Sequence, residues 1–168
     1  MTTFFIGCTH FGHDRIIKLA NRPFADVQEM DMTMVDRWNK VVKPDDTVWH
    51  LGDFAWKNDD GYFSWLNGHK CLVIGNHDHA ETLELPWKRI TFSLVEEFQG
   101  VPIHLNRYPL EEWQGYFKRA IHLHSHTHGT RADIPGRMDV GVERIGYQPI
   151  SLDEILAHPE MQEWRKAT

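Results

Sequence analysis

The sequence predicts one mixed α/β domain over residues 1–168, on three observations. Short apolar runs of strand length alternate with amphipathic helical segments in the first half. The second half is rich in strands. No repeat, linker or low-complexity stretch divides the chain. Composition agrees, since 41% hydrophobic and 25% charged residues are ordinary for a globular chain long enough to enclose a core.

In order, TFFIG (3–7) reads as a buried strand and HDRIIKLANRP (13–23) as a short helix stopped near Pro23. In 25–42, Val27, Met30, Met34, Val35, Trp38, Val41 and Val42 recur at helical spacing, and Pro44 ends that helix. TVWHLG (47–52) is a strand, DGYFSWLNG (60–68) a short helix closed by Gly68, and KCLVIG (70–75) an apolar central strand. Residues 90–98 and 101–106 flank Gly100 as a hairpin. RAIHLH (119–124) and RMDVGVE (137–143) are two further strands, and 151–166 is a helix opened by a Ser151/Glu154 capping box.

The formal charge of −6 disfavours long nucleic acid and membrane surfaces as partners, because both select a basic face. The opening MTTFFIGCTHFGHD lacks the basic region of a signal peptide, and no stretch approaches the roughly 20 apolar residues of a membrane span. Cys8 and Cys71 make no disulfide framework, so a reducing cytoplasm is expected. Oligomeric state is not legible.

Twelve histidines are the unusual number. They gather with aspartate, asparagine and Cys8 in four turns that follow strands: GCTHFGH (7–13), HLGDF (50–54), GNHD (75–78) and HLHSHTHG (122–129). Sites in α/β sheets form beyond the carboxyl ends of strands. Singly, each turn has an ordinary explanation, such as an aspartate capping local amides or histidines along a solvated edge. Together they form a donor set suited to Zn, Fe, Mn or Ni.

These residues resemble the ordered signatures of the calcineurin-like metallophosphoesterases, in the small bacterial and phage type. Cys8-Thr9-His10 stands where that family has Asp-x-His; Gly52-Asp53 and Gly75-Asn76-His77-Asp78 match in full; and Ser125-His126-Thr127-His128 matches Gly-His-x-His except for its glycine. The resemblance implies two stacked mixed β-sheets flanked by helices, a four-layer α/β/β/α sandwich. It implies a metal-dependent phosphoesterase acting on phosphomonoesters or phosphodiesters, with one or two divalent transition-metal ions and a small phosphorylated substrate, nucleotides included. Cys8, His10, Asp53 and His128 would surround the first metal, with Asp53 bridging, and Asn76 and His126 would hold the second. His77, steered by Asp78, would stand beside the leaving group. His13 would reach the phosphate from the start of the first helix.

Two ligand positions depart from the pattern. A thiolate at Cys8 favours zinc or iron; alternatively Cys8 is a small buried thiol that leaves the site a ligand short. Arg107 replaces the family's lone histidine before Tyr108-Pro109. A guanidinium cannot ligate a metal, so Arg107 would weaken the second ion or stand in for it, offering donors to phosphate. His104 would need a bulge to substitute. The alternative function is therefore a weakened or inactive member that binds a phosphate ligand or a protein; a non-enzymatic metal or redox protein leaves the Gly-Asn-His-Asp signature without a purpose. His50 and His124 are expected to support the ligands. His69, His79, His122 and His158 are expected on the surface or in strands. Trp56, Trp65, Trp87 and Trp113 read as core packing, with an aromatic rim for a base as the alternative.

Overall fold

The computed structural model describes residues 1–57 and 59–166. In chain order its elements are β1 (Thr3–Ile6), α1 (Ile16–Leu19), α2 (Val27–Val41), β2 (Thr47–His50), α3 (Asp59–Trp65), β3 (His69–Val73), α4 (Ala80–Leu83), β4 (Arg89–Thr91), β5 (Ser93–Phe98), β6 (Val101–Asn106), β7 (Ile121–His124), β8 (Arg137–Asp139), α5 (Val142–Ile145), β9 (Ile150–Ser151), α6 (Leu152–Ala157) and α7 (Pro159–Lys166). The chain is α/β, with two mixed sheets flanked by helices.

The first sheet has the order β4-β3-β2-β1-β9, parallel except for β9; the second has the order β5-β6-β7-β8, with only β5 antiparallel to its neighbour. Side chains alternate across each strand, and the two faces of β1 show it. Phe4 and Ile6 pack under α2 and α3 with Met30, Met34, Trp38 and Phe63. Phe5 points the other way and joins Trp49, Leu51 and Val73 against Ile103, Leu105, Ile121 and Leu123 of the second sheet. The rings of Phe5 and Trp49 each meet Phe98 of β5 edge-on. The sheets therefore face one another across an apolar layer, and helices cover the far side of the first.

The long helix forms as its spacing predicts. Asp26 caps it by accepting from the Glu29 amide at 2.8 Å, and Val42 is already extended two residues before Pro44. Three expectations are corrected. The segment 90–98 is two strands: β4 pairs with β3 and β5 with β6, so the chain changes sheets at Phe92, where Thr91 Oγ1 donates to the Ser93 carbonyl at 2.7 Å. The strand expected over 137–143 ends at Asp139, whose carboxylate accepts from the Gly141 amide and turns the chain into α5. The helix expected over 151–166 breaks at His158, which Pro159 holds extended. His122 lies in strand β7, as expected, and is fully buried because residues 108–113 cover it: its Nε2 lies 3.1 Å from the Tyr108 carbonyl and Trp113 packs against its ring.

Candidate metal and phosphate site

The turns that leave β1, β2, β3, β6 and β7 meet at one place. Cys8 and His10 donate backbone hydrogen bonds to the carbonyls of Gly52 and Asp53 at 2.9 and 3.0 Å, which locks the first two turns together. The backbone there is strained. Among the described residues nine non-glycine positions have positive φ, and five of them are expected ligands: Cys8, His10, Asp53, His126 and His128. A left-handed backbone costs energy at any residue with a Cβ, and such strain clusters at functional sites. Gly52 and Gly75 permit the close approach, since a Cβ on Gly75 would collide with Asp53.

Cys8, His10 and His128 each aim one donor atom at a common point, with those atoms within 4.8 Å of one another. Cys8 is wholly buried, and burial pushes its thiol up to about 11, against the pull of Arg107. Burial, with Arg22 and His128 adding to it, drives the His10 imidazole far below its ordinary range, so the ring is neutral at physiological pH. His10 Nε2 is buried and makes no hydrogen bond among the described residues, with Asp53 Oδ2 3.4 Å away. A neutral imidazole beside a sulfur and a second imidazole fits a divalent ion, and the set matches borderline metals such as zinc.

The second imidazole is fixed by residues the sequence reading missed. His128 Nδ1 lies 2.9 Å from Glu143 Oε1. A carboxylate only accepts, so the proton sits on Nδ1 and the lone pair on Nε2. Burial alone would raise the Glu143 carboxyl, but His128 and Arg22 hold it below its usual range. Arg22 is buried under the cluster and donates to Glu143 at 2.9 Å and to the carbonyls of Thr9 and Cys8 at 2.8 and 2.7 Å. The only sequence signal was a carboxylate two residues beyond a glycine turn, within the stretch read as a strand.

Arg107 occupies the other half of the site. Its guanidinium contacts Asp53 Oδ2 directly, donates to Cys8 Sγ at 2.9 Å and Ser125 Oγ at 2.7 Å, and approaches Asn76 Oδ1 and His126 Nδ1 at 3.3 Å. Asp53, Asn76 and His126 are the residues expected around or between metals, and one guanidinium now engages all three. Every guanidinium nitrogen is used within the protein, so the expected bidentate grip on phosphate is not available in this arrangement. His104 lies off the site, with its Nε2 2.8 Å from Ser93 Oγ in β5.

The remaining expected residues sort by what they touch. Asp78 accepts from the amides of Asp53, Phe54 and Gly75 at 3.0, 2.8 and 2.7 Å, so its carboxylate braces the Asp53 turn and is not directed at His77. His77 is exposed at the rim, with its ring 5.9 Å from that of His10 and its amide donating to Asp53 Oδ1 at 2.9 Å. His13 Nδ1 accepts from the Ile16 amide at 3.0 Å, and its ring lies between His10 and Trp56. Helix α1 has one turn only, so the expected helix-terminus contribution at His13 is lost. His50 supports the site through Thr9. The Thr9 hydroxyl donates to the Phe54 carbonyl, so His50 Nε2 must donate to Thr9 Oγ1 at 2.9 Å; burial lowers its pKa to about 3.

No family model matches the chain. An uncharacterised protein of Methanocaldococcus jannaschii, MJ1445, is 33% identical over 165 residues, spanning 91% of this chain and 88% of that protein. The crystal structure of a protein of unknown function from Aquifex aeolicus, AQ665, superposes with a TM-score of 0.76 at 33% identity, over 92% of this chain and 97% of the other. An archaeal phosphodiesterase structure aligns at a TM-score of 0.45 and 16% identity, over 84% of this chain and 82% of the other, a likeness too slight to argue from. With a third of its residues identical along nearly its whole length, the chain belongs to the family of the Methanocaldococcus protein MJ1445.

Proposed function

We propose that this protein is a metal-dependent phosphoesterase of the metallophosphoesterase type, with the four-layer sandwich of that family, in which one divalent ion and one fixed guanidinium take the place of two ions. The observation that carries the reading is the position of Arg107, at once on Asp53, Asn76 and His126 and against the Cys8/His10/His128 cluster.

Cys8, His10 and His128 would hold the ion, and zinc or iron suits the thiolate. A bound ion there supplies Lewis acidity and acidifies water. Arg107 contributes a permanent positive charge that the fold has already oriented, which favours the charge that builds on a phosphoryl group. It acts through its field, since its own hydrogen bonds are spent inside the protein. Asp53 neutralises part of that charge and anchors the His77 amide. His77 stands at the open rim, the position from which an imidazolium could protonate a departing alkoxide. Asp78 keeps the Asp53 turn in its left-handed form. The substrate is a small phosphorylated molecule.

The same saturation of Arg107 favours a second reading, a member of the family that binds a phosphate ligand without turning it over. One assay separates the two. Protein stripped of metal and reloaded with zinc, iron or manganese is offered 4-nitrophenyl phosphate and bis(4-nitrophenyl) phosphate. Hydrolysis that a chelator abolishes and that Cys8→Ala lacks is the expected result. No turnover with any of the three metals on either ester would leave the binding reading.

A further inference from the structure

Trp56 is 42% exposed at the edge of the site, an unusual place for the largest apolar side chain. Its backbone is held, because its amide donates to the Phe11 carbonyl at 2.7 Å. Its ring lies 4.5 Å from that of His13 and 6.0 Å from that of His77, so a single imidazole separates it from His10. On its His13 side the ring walls a cleft of about 400 Å³, whose other lining includes Asp14, Arg15, Leu19 and Lys57. The cleft thus joins a fixed aromatic face to hydrogen-bonding groups of both signs, one imidazole's width from the candidate metal cluster.

Resting on the phosphoesterase reading, we propose that the substrate is a nucleoside phosphate whose base stacks on Trp56 in this cleft. A planar heterocycle uses both features: its face meets the indole, and its polar edge meets Asp14, Arg15 or Lys57. A sugar phosphate would leave the aromatic face unused. A plain aryl group would leave the charged rim unpaired. The distance that the His13 ring spans between Trp56 and His10 is of the order that a sugar bridges between base and phosphate.

The test is calorimetric titration of the intact zinc-loaded protein with adenosine 5′-monophosphate, ribose 5-phosphate, inorganic phosphate and adenosine, repeated with Trp56→Leu and Trp56→Phe. Base stacking on an aromatic side chain is worth a factor of roughly ten or more in affinity. The nucleotide should therefore bind about tenfold or more tighter than ribose 5-phosphate. Trp56→Leu should erase that difference, and Trp56→Phe should keep most of it. Equal affinities for nucleotide and ribose 5-phosphate in the unaltered protein, or a difference that survives Trp56→Leu, would overturn the proposal. If the phosphates fail to bind while adenosine binds in a Trp56-dependent way, the base platform stands and the phosphoesterase reading falls. If nothing binds, both fall.

Discussion

Arg107 donates a hydrogen bond to the sulfur of Cys8 at 2.9 Å, although 99 positions separate them in sequence. These are the two ligand positions at which the sequence departs from the metallophosphoesterase pattern it resembles. The same guanidinium meets Asp53, so the sulfur and the carboxylate share one cation. The two positions are thus one local unit, in which a single guanidinium joins the thiol to the carboxylate.

Removing the cation should be costly. Arg107 and Asp53 are both almost wholly buried. Arg107→Met leaves the carboxylate without its partner, and breaking a buried pair in this way costs about 3–5 kcal/mol. Urea unfolding of the metal-free protein should show that loss, and a change within error would mean that the pair contributes little.

The coupling between the two positions should appear in a mutant cycle. Cys8→Ala and Arg107→Met each remove the contact between sulfur and guanidinium without adding a new charge. Each single change should destabilise the metal-free protein, and the double variant should lose less than the sum of the two, by roughly 1–3 kcal/mol. Strict additivity would show that the hydrogen bond seen here carries no energy.

Metal binding should depend on pH in a defined direction. The Cys8 thiol, raised to about 11 by burial, keeps its proton throughout the neutral range, and the ion must displace it. His10 is already neutral and releases none. Across the neutral range the zinc dissociation constant should therefore fall about tenfold for each unit of pH rise. Competition with a chelator at pH 6.5 and 7.5 measures it, and a flat profile would remove Cys8 from the ligand set.

Glu143 should tune the same affinity without being one of the three clustered donors. Through its hydrogen bond it sets the His128 tautomer. Losing such a partner typically weakens metal binding by about 10–100-fold. Glu143→Leu should show that loss in zinc titrations, whereas Glu143→Gln, which keeps an acceptor for Nδ1–H, should recover part of it. Identical affinities for the two variants would assign the effect to charge or packing and not to the tautomer.

Much of this was legible in the sequence, for local reasons. Strands such as TFFI and the spacing of Met30, Met34 and Trp38 are fixed by burial on one face, and the polar turns announce themselves by following those strands. What stayed hidden depends on long-range contact. The sequence placed Arg107 near the second set of ligands, but its saturation by Cys8, Ser125 and Asn76 exists only once three turns meet. Glu143 gained its role by lying against His128 across a turn, and Asp78 by reaching the amides of another loop. The switch between sheets at Phe92 was invisible because both halves of 90–98 have strand composition, and only their pairing partners differ.

The central claim is that Arg107 takes the place of one metal ion, and counting ions tests it most directly. The protein is stripped, reloaded with zinc in excess, freed of unbound metal and analysed for zinc per chain, beside the Cys8→Asp/Arg107→His double variant. The account predicts one ion in the unaltered protein and two in the variant. Two ions in the unaltered protein would mean that the guanidinium yields its place to metal, and none would mean that the Cys8/His10/His128 cluster is not a metal site.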